Sequence, residues 1–145
     1  MTLDEVYILA EQSGIVVFNE KLPITKCLSV MDFDGNCAVG IDESQFKTQS
    51  ELKVGLAHDI AHCLTGSFYN RYSPYDVRER HENKANKKAT YLLINLNDLI
   101  DAFNDPWNSV YDLAERFNVT EPFMRKALSI YEQEIKNTLT NEGAE

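Results

Sequence analysis

The spacing of apolar positions changes twice along this chain. At the start, Leu3, Val6, Tyr7, Leu9 and Ala10 recur at helical intervals. Thr2 and Glu5 stand three apart as a capping box, and Gly14 is the natural stop. An opening helix is predicted, with its stripe packed into a core. Residues 15–42 lose that period. Ile15-Val16-Val17-Phe18 is β-branched and aromatic, as strands prefer. Leu22 and Pro23 interrupt it, and residues 24–31 and 37–41 predict two further strands. Between them, Asp32-Phe33-Asp34-Gly35-Asn36 contains the Asp-Gly pair of a hairpin turn. A small antiparallel sheet is expected. Cys27 and Cys37 would face one another across the hairpin, as two half-buried thiols rather than a disulfide.

Helical spacing returns at residue 49. Thr48 and Glu51 form a second capping box, and Leu52, Leu56, Ile60 and Leu64 recur every four residues. Gly66 ends the run. A second long helix is predicted over 76–94, with Asp76 and Glu79 as its cap. Its face consists of Val77, His81, Ala85, Ala89, Leu92 and Leu93, and Ala85 lets two helices approach closely. The tail from 95 to 145 reads as helices. One lies over 96–103, before a break at Pro106-Trp107. A second is capped by Ser109 and Asp112, and a last one runs from Glu121 to Lys136, with Asn137 to Glu145 fraying. The fold class expected is α+β in a single domain. Residues 1–94 form its core and 95–145 a helical extension.

Candidate chemistry sits on the first long helix. His58 and His62 are four residues apart, so they share a helix face about 5–6 Å apart at Cβ. Two imidazoles so placed can reach one metal ion, as in His-Glu-x-x-His. Position 59 holds Asp, which is shorter than Glu by roughly one carbon–carbon bond, ~1.5 Å. All three histidines of the chain fall between 58 and 81. The histidines lie beside the apolar stripe, which predicts a partly enclosed cleft. Cys63 points about 100° away from His62 and is a poor partner for the same ion. The third ligand is expected from the second long helix. Glu82, at the edge of its apolar face, completes the two-His-one-Glu set, and His81 is its rival. Tyr69 and Tyr72, in the aromatic loop between the helices, are candidates for an oxyanion or substrate contact. A packed connection is the other reading of that loop. A sheet ahead of a metal helix can also hold an extended peptide along an edge strand.

Charge narrows the partners. The chain has 145 residues, formal net charge −9 and sequence pI near 4.8, which disfavours direct nucleic-acid binding. The segments around Leu113–Thr120 and Met124–Leu128 have the look of half a helix-turn-helix. However, Glu121, Glu132 and Glu134 do not suit a recognition helix, and packing or partner docking fits the tail better. No apolar run approaches a membrane span. The acidic start, Met1-Thr2-Leu3-Asp4-Glu5, lacks a signal-peptide n-region. With three unpatterned cysteines, a reducing cytoplasm is expected.

These features together carry a family resemblance. His58, His62, the Gly66-Ser67-Phe68-Tyr69-Asn70 loop, Ser73-Pro74, Asp76, Arg78, His81-Glu82, Ala85-Asn86, Ala89 and Leu92-Leu93 resemble the ImmA/IrrE metallo-endopeptidases. Phage and mobile-element members are the nearest in character. The helices and hairpin on either side look similar, less sharply. The resemblance implies a gluzincin-like core with one Zn²⁺ on His58, His62 and Glu82, and a general base at position 59. It also implies hydrolysis of a protein substrate, commonly a helix-turn-helix repressor. Asp59 departs from the family's Glu. That departure leaves the ligand set intact and weakens proton transfer. The alternative is a catalytically impaired, metal-containing module that docks a repressor or other partner protein.

Overall fold

The computed structural model describes residues 1–70 and 72–143. Helix α1 (Leu3–Gln12) is capped as its sequence predicts. The Thr2 side chain accepts from the Glu5 amide, and the Glu5 carboxylate accepts from the Thr2 amide at 3.0 Å. Gly14, at φ 72°, turns the chain into β1 (Val16–Asn19). Strands β2 (Cys27–Met31) and β3 (Cys37–Ile41) form the hairpin. Its turn is held by Asp32, whose Oδ1 accepts from the amides of Asp34 and Asn36 at 2.9 Å.

The sheet is mixed rather than wholly antiparallel, with order β1-β3-β2 and β1 parallel to β3. The cause is the connection over residues 20–26. It carries the chain across the end of the sheet, so that β3 later enters between the two earlier strands. Leu22 packs near Gly40 on β3, and its amide donates to Asp42 at 3.3 Å. Residues 24–26 belong to this crossing, and the second strand starts only at Cys27. Register also separates the two thiols. Cys27 pairs with Ile41 and Cys37 with Met31, at opposite ends of the ladder, and all three cysteines are free.

One sheet face is buried through Cys37, Val39 and Ile41, against α2 (Gln49–Thr65), which packs on β2 and β3. Thr48 caps α2 by accepting from the Glu51 amide at 3.1 Å. The expected reciprocal bond is not made, because Glu51 binds Lys26 at 2.6 Å and the Lys47 amide at 3.3 Å instead. Leu56 and Ile60 are fully buried, whereas Leu64, past the edge of the sheet, is exposed. Gly55 permits a close approach in mid-helix. A Cβ there would lie 2.9 Å from the Phe46 ring. Gly66 ends α2 in the left-handed conformation.

Helix α3 (Tyr75–Leu93) packs along α2, with Ala85 and Ala89 fully buried. Its N-cap is Pro74 rather than Asp76. The fixed proline φ already sets the chain for the first turn, and Asp76 falls inside that turn, where its charge suits the helix dipole. Helices α4 (Leu96–Phe103), α5 (Val110–Phe117) and α6 (Glu121–Gly143) follow. Ser109 and Asp112 cap α5 reciprocally, and Asn118 makes the turn to α6 at φ 52°. Helix α6 does not fray at Asn137. It continues to Gly143, supported by Lys136–Glu132 and Gln133–Asn137 contacts one turn apart. The expected fraying of residues 144 and 145 lies outside the described residues, as does Arg71 of the aromatic loop. The Tyr131 hydroxyl ties α6 to the end of α3, donating to the Ile94 carbonyl at 2.6 Å. Among the described residues, no helix is long and apolar enough to cross a membrane.

Candidate metal centre

Helices α2 and α3 converge on three side chains. From α2, the Nε2 atoms of His58 and His62 lie 3.1 Å apart. Glu82, on α3, reaches both. Its Oε2 is 3.0 Å from His58 Nε2, and its Oε1 is 3.3 Å from His62 Nε2. One ligand atom from each of the three lies within 4.8 Å of the others, so the group could hold a metal ion. His62 is buried, and its Nδ1 is 2.6 Å from the Ser67 carbonyl. A carbonyl only accepts, so Nδ1 carries a proton and Nε2 faces the cluster, as a lone pair in the neutral ring and as a second N–H toward Glu82 in the charged one. That backbone contact follows from the left-handed turn at Gly66, which folds Ser67 back under the helix end.

Electrostatics favours positive charge at this point. Hydrogen bonds from His58 first, then His62, hold the Glu82 carboxyl well below the usual carboxylate range. For His62, burial opposes the charged form, but the bonds to Glu82 and to the Ser67 carbonyl outweigh it and raise the pKa. Tyr69 donates to Glu82 Oε1 at 2.6 Å, which pushes the phenol up to about 12. A cation among these atoms would satisfy the same charge demand.

The cluster forms part of the wall of an open cleft of about 680 Å³. Asp59 and Tyr69 line it too. Tyr72 does not line it and is 79% exposed. The hydroxyl proton of Tyr69 is engaged by Glu82, so in this structure Tyr69 orients that carboxylate. His81 is not in the cluster. Its ring stacks 6.4 Å from that of Tyr69, and its buried Nδ1 has no hydrogen-bond partner among the described residues.

The sheet edge considered beside the metal helix is β2, whose residues Cys27, Leu28 and Ser29 line the cleft. Backbone bonds from Asp42 to Lys26 and from Asp32 to Asn36 fix the ladder's alternation. The amides and carbonyls of Cys27, Ser29 and Met31 therefore face away from β3. Those of Cys27 meet the Thr25 hydroxyl. The Cys27 thiol points to the Gly55 carbonyl at 3.8 Å. Burial, then the nearby Asp59 charge, pushes its pKa far above the ordinary thiol value. A second wall, which the sequence reading did not assign to the cleft, is the start of α6, through Thr120, Pro122, Phe123 and Lys126. The apolar spacing of Phe123, Ala127 and Tyr131 was the available signal that α6 packs on the core.

A family model described as Peptidase M78, IrrE N-terminal-like domain, matches residues 10–129. No curated protein and no solved structure matches the chain.

Proposed function

The chain belongs to the Peptidase M78 family of IrrE N-terminal-like domains, and on that premise we propose that it is a zinc-dependent endopeptidase. Its substrate would be a protein, specifically a helix-turn-helix repressor of a phage or mobile element, met in the cytoplasm. The observation that carries this reading is the convergence of His58, His62 and Glu82 in a cleft beside a sheet edge. The donor set matches catalytic zinc sites with three protein ligands. The outward backbone groups of Ser29 and Met31 suit an extended peptide added as a further strand. When bound, the ion supplies Lewis-acid polarisation of the scissile carbonyl and makes a water more acidic. Asp59 accepts the proton of the attacking water and returns it to the leaving amine. Tyr69, through its bond to Glu82, fixes that carboxylate's orientation, as outer hydrogen bonds to metal ligands do. The α5–α6 pair does not read DNA on this view, since Phe123, Met124, Ala127 and Tyr131 are buried in the core.

Metal analysis with a cleavage assay tests the reading. Purified protein should carry close to one equivalent of zinc and cut a helix-turn-helix repressor of a phage or mobile element. Glu82→Ala should lose the metal while His81→Ala keeps it; the reverse result would make His81 the ligand. Asp59 favours one second reading, a docking module with impaired chemistry. Zinc-replete protein that retains the repressor in a pull-down and leaves it uncut would decide for the module.

A further inference from the structure

The cleft wall holds a cation that no ion pair balances among the described residues. Lys126 lines the cleft from α6 and is exposed. Partners on the same helix sit three and four residues away. For Lys126 these are Pro122, Phe123, Ser129 and Ile130, none of them acidic. Its neighbours on α6, Arg125 and Lys136, pair with Glu121 and Glu132. Lys126 makes no ion pair or hydrogen bond among the described residues. The cleft's other lysine, Lys26, is occupied by Glu51 at 2.6 Å and lies over the Phe46 ring. In a chain of net charge −9, acids are plentiful, so this isolation comes from position.

Two neutral polar residues, Asn86 and Thr120, line the same cleft. Asn86 lines the cleft four residues after Glu82, on the same face of α3. Its side-chain amide makes no hydrogen bond among the described residues. Thr120 Oγ1 accepts from the Phe123 amide at 3.3 Å, which leaves its own proton to donate. The cleft wall therefore offers an ammonium, an amide N–H2 and a hydroxyl proton, each able to donate to a carboxylate. One helical turn, about 5.4 Å, separates Asn86 from Glu82 along α3. An extended peptide rises about 3.3 Å per residue, so a group held there belongs to a residue within about two positions of the scissile bond.

We propose that Lys126, with Asn86 and Thr120, forms a specificity subsite for the side-chain carboxylate of a substrate Asp or Glu near the cleaved bond. The inference rests on the peptidase reading above, and its test keeps the two separable. Internally quenched peptides, blocked at both ends, carry Glu, Gln or Lys at each position in turn. A parallel set has neutral side chains and a free C-terminal carboxylate. Zinc-replete full-length protein should cleave the Glu peptide faster than the Gln peptide at one position by about fivefold, the scale of a partly exposed ion pair. That ratio should shrink as salt rises. It should fall to near one in Lys126→Met and turn in favour of Lys in Lys126→Glu. Fluorescence anisotropy of the same peptides gives binding without chemistry. A Glu preference in binding that depends on Lys126, without cleavage, keeps the subsite and sinks the peptidase. Cleavage indifferent to Glu against Gln overturns the subsite and keeps the peptidase. A preference confined to free C-termini also overturns it, as does failure of every Glu peptide to bind.

Discussion

His62 shows how far one side chain can be committed. Its Nδ1 faces the Ser67 carbonyl and its Nε2 faces the cluster, so tautomer and direction are fixed together. Asp59, one residue from the other histidine, has no comparable anchor in the ligand set. It lines the cleft with a carboxylate about 1.5 Å shorter in reach than Glu. General-base catalysis contributes about 10²–10⁴-fold, and a misplacement of about 1 Å can cost on the order of a hundredfold. Asp59→Glu should therefore raise turnover of a cleavable substrate by roughly tenfold to a thousandfold, with zinc affinity unchanged. Rates at equal zinc occupancy decide it; a Glu form no faster than the Asp form would place the base elsewhere. At this scale the histidines were legible because a four-residue spacing is a local geometric fact. Glu82 was legible from its place at the edge of an apolar face. The Ser67 carbonyl and the Tyr69 hydroxyl were not, since backbone acceptors have no residue type and a loop tyrosine has no fixed direction.

At the scale of elements, helix α2 does two jobs at once: it carries two histidines and it crosses the core. Lys53 serves the second. Its side chain is 1% exposed. Its Nζ donates to the Met1 carbonyl at 3.1 Å and to the Phe117 carbonyl at 2.7 Å, joining the start of α1 to the end of α5. Burial lowers its pKa, so the charge is held at a cost, which the two bonds offset. Lys53→Met keeps the apolar stem and removes both donors. It should destabilise the protein by about 1–2 kcal/mol, read as a lower urea midpoint with an unchanged slope. A more stable variant would mean that desolvation outweighs the two bonds. No sequence pattern announces such a lysine, because a polar residue beside a stripe reads as solvent-facing. Gly55 misleads similarly: in mid-helix it resembles a weak point, yet it admits the Phe46 ring. Caps and turns were legible because their hydrogen bonds are local. The parallel pairing of β1 with β3 was not, because strand order depends on where the 20–26 crossing lands.

Across the whole molecule, distant segments are joined at interfaces that keep several ionisable groups neutral. Cys27 on β2 is pushed far above its ordinary 9.0, by burial first and then by the Asp59 charge. Tyr7 on α1 is raised well above 10.0, by burial first and then by its hydrogen bond to Glu43. The half-burial of Cys27 and the inward face of Tyr7 were legible in the sequence, but their partners Asp59 and Glu43 were not, since each environment is assembled from parts of the chain tens of residues apart. The cleft wall supplied by α6 escaped notice for the same reason. A raised folded-state pKa means that the unfolded chain loses the proton first. The stabilising contribution is thus complete below the unfolded values and is lost as pH climbs above about 9 for the thiol and about 10 for the phenol. Metal-free protein, held in chelator so that zinc does not add its own proton linkage, should show a urea midpoint that falls progressively between pH 8 and 10.5. In a Cys27→Ala, Tyr7→Phe double variant the fall should be shallower, though the midpoint at pH 7 drops as well from lost packing and the lost hydrogen bond. The slope against pH, rather than the starting value, carries the test. Equal slopes in the two proteins would mean that both groups ionise as readily inside the fold as outside it. The layering of β2 and α1 against α2 would then be too open to shield them.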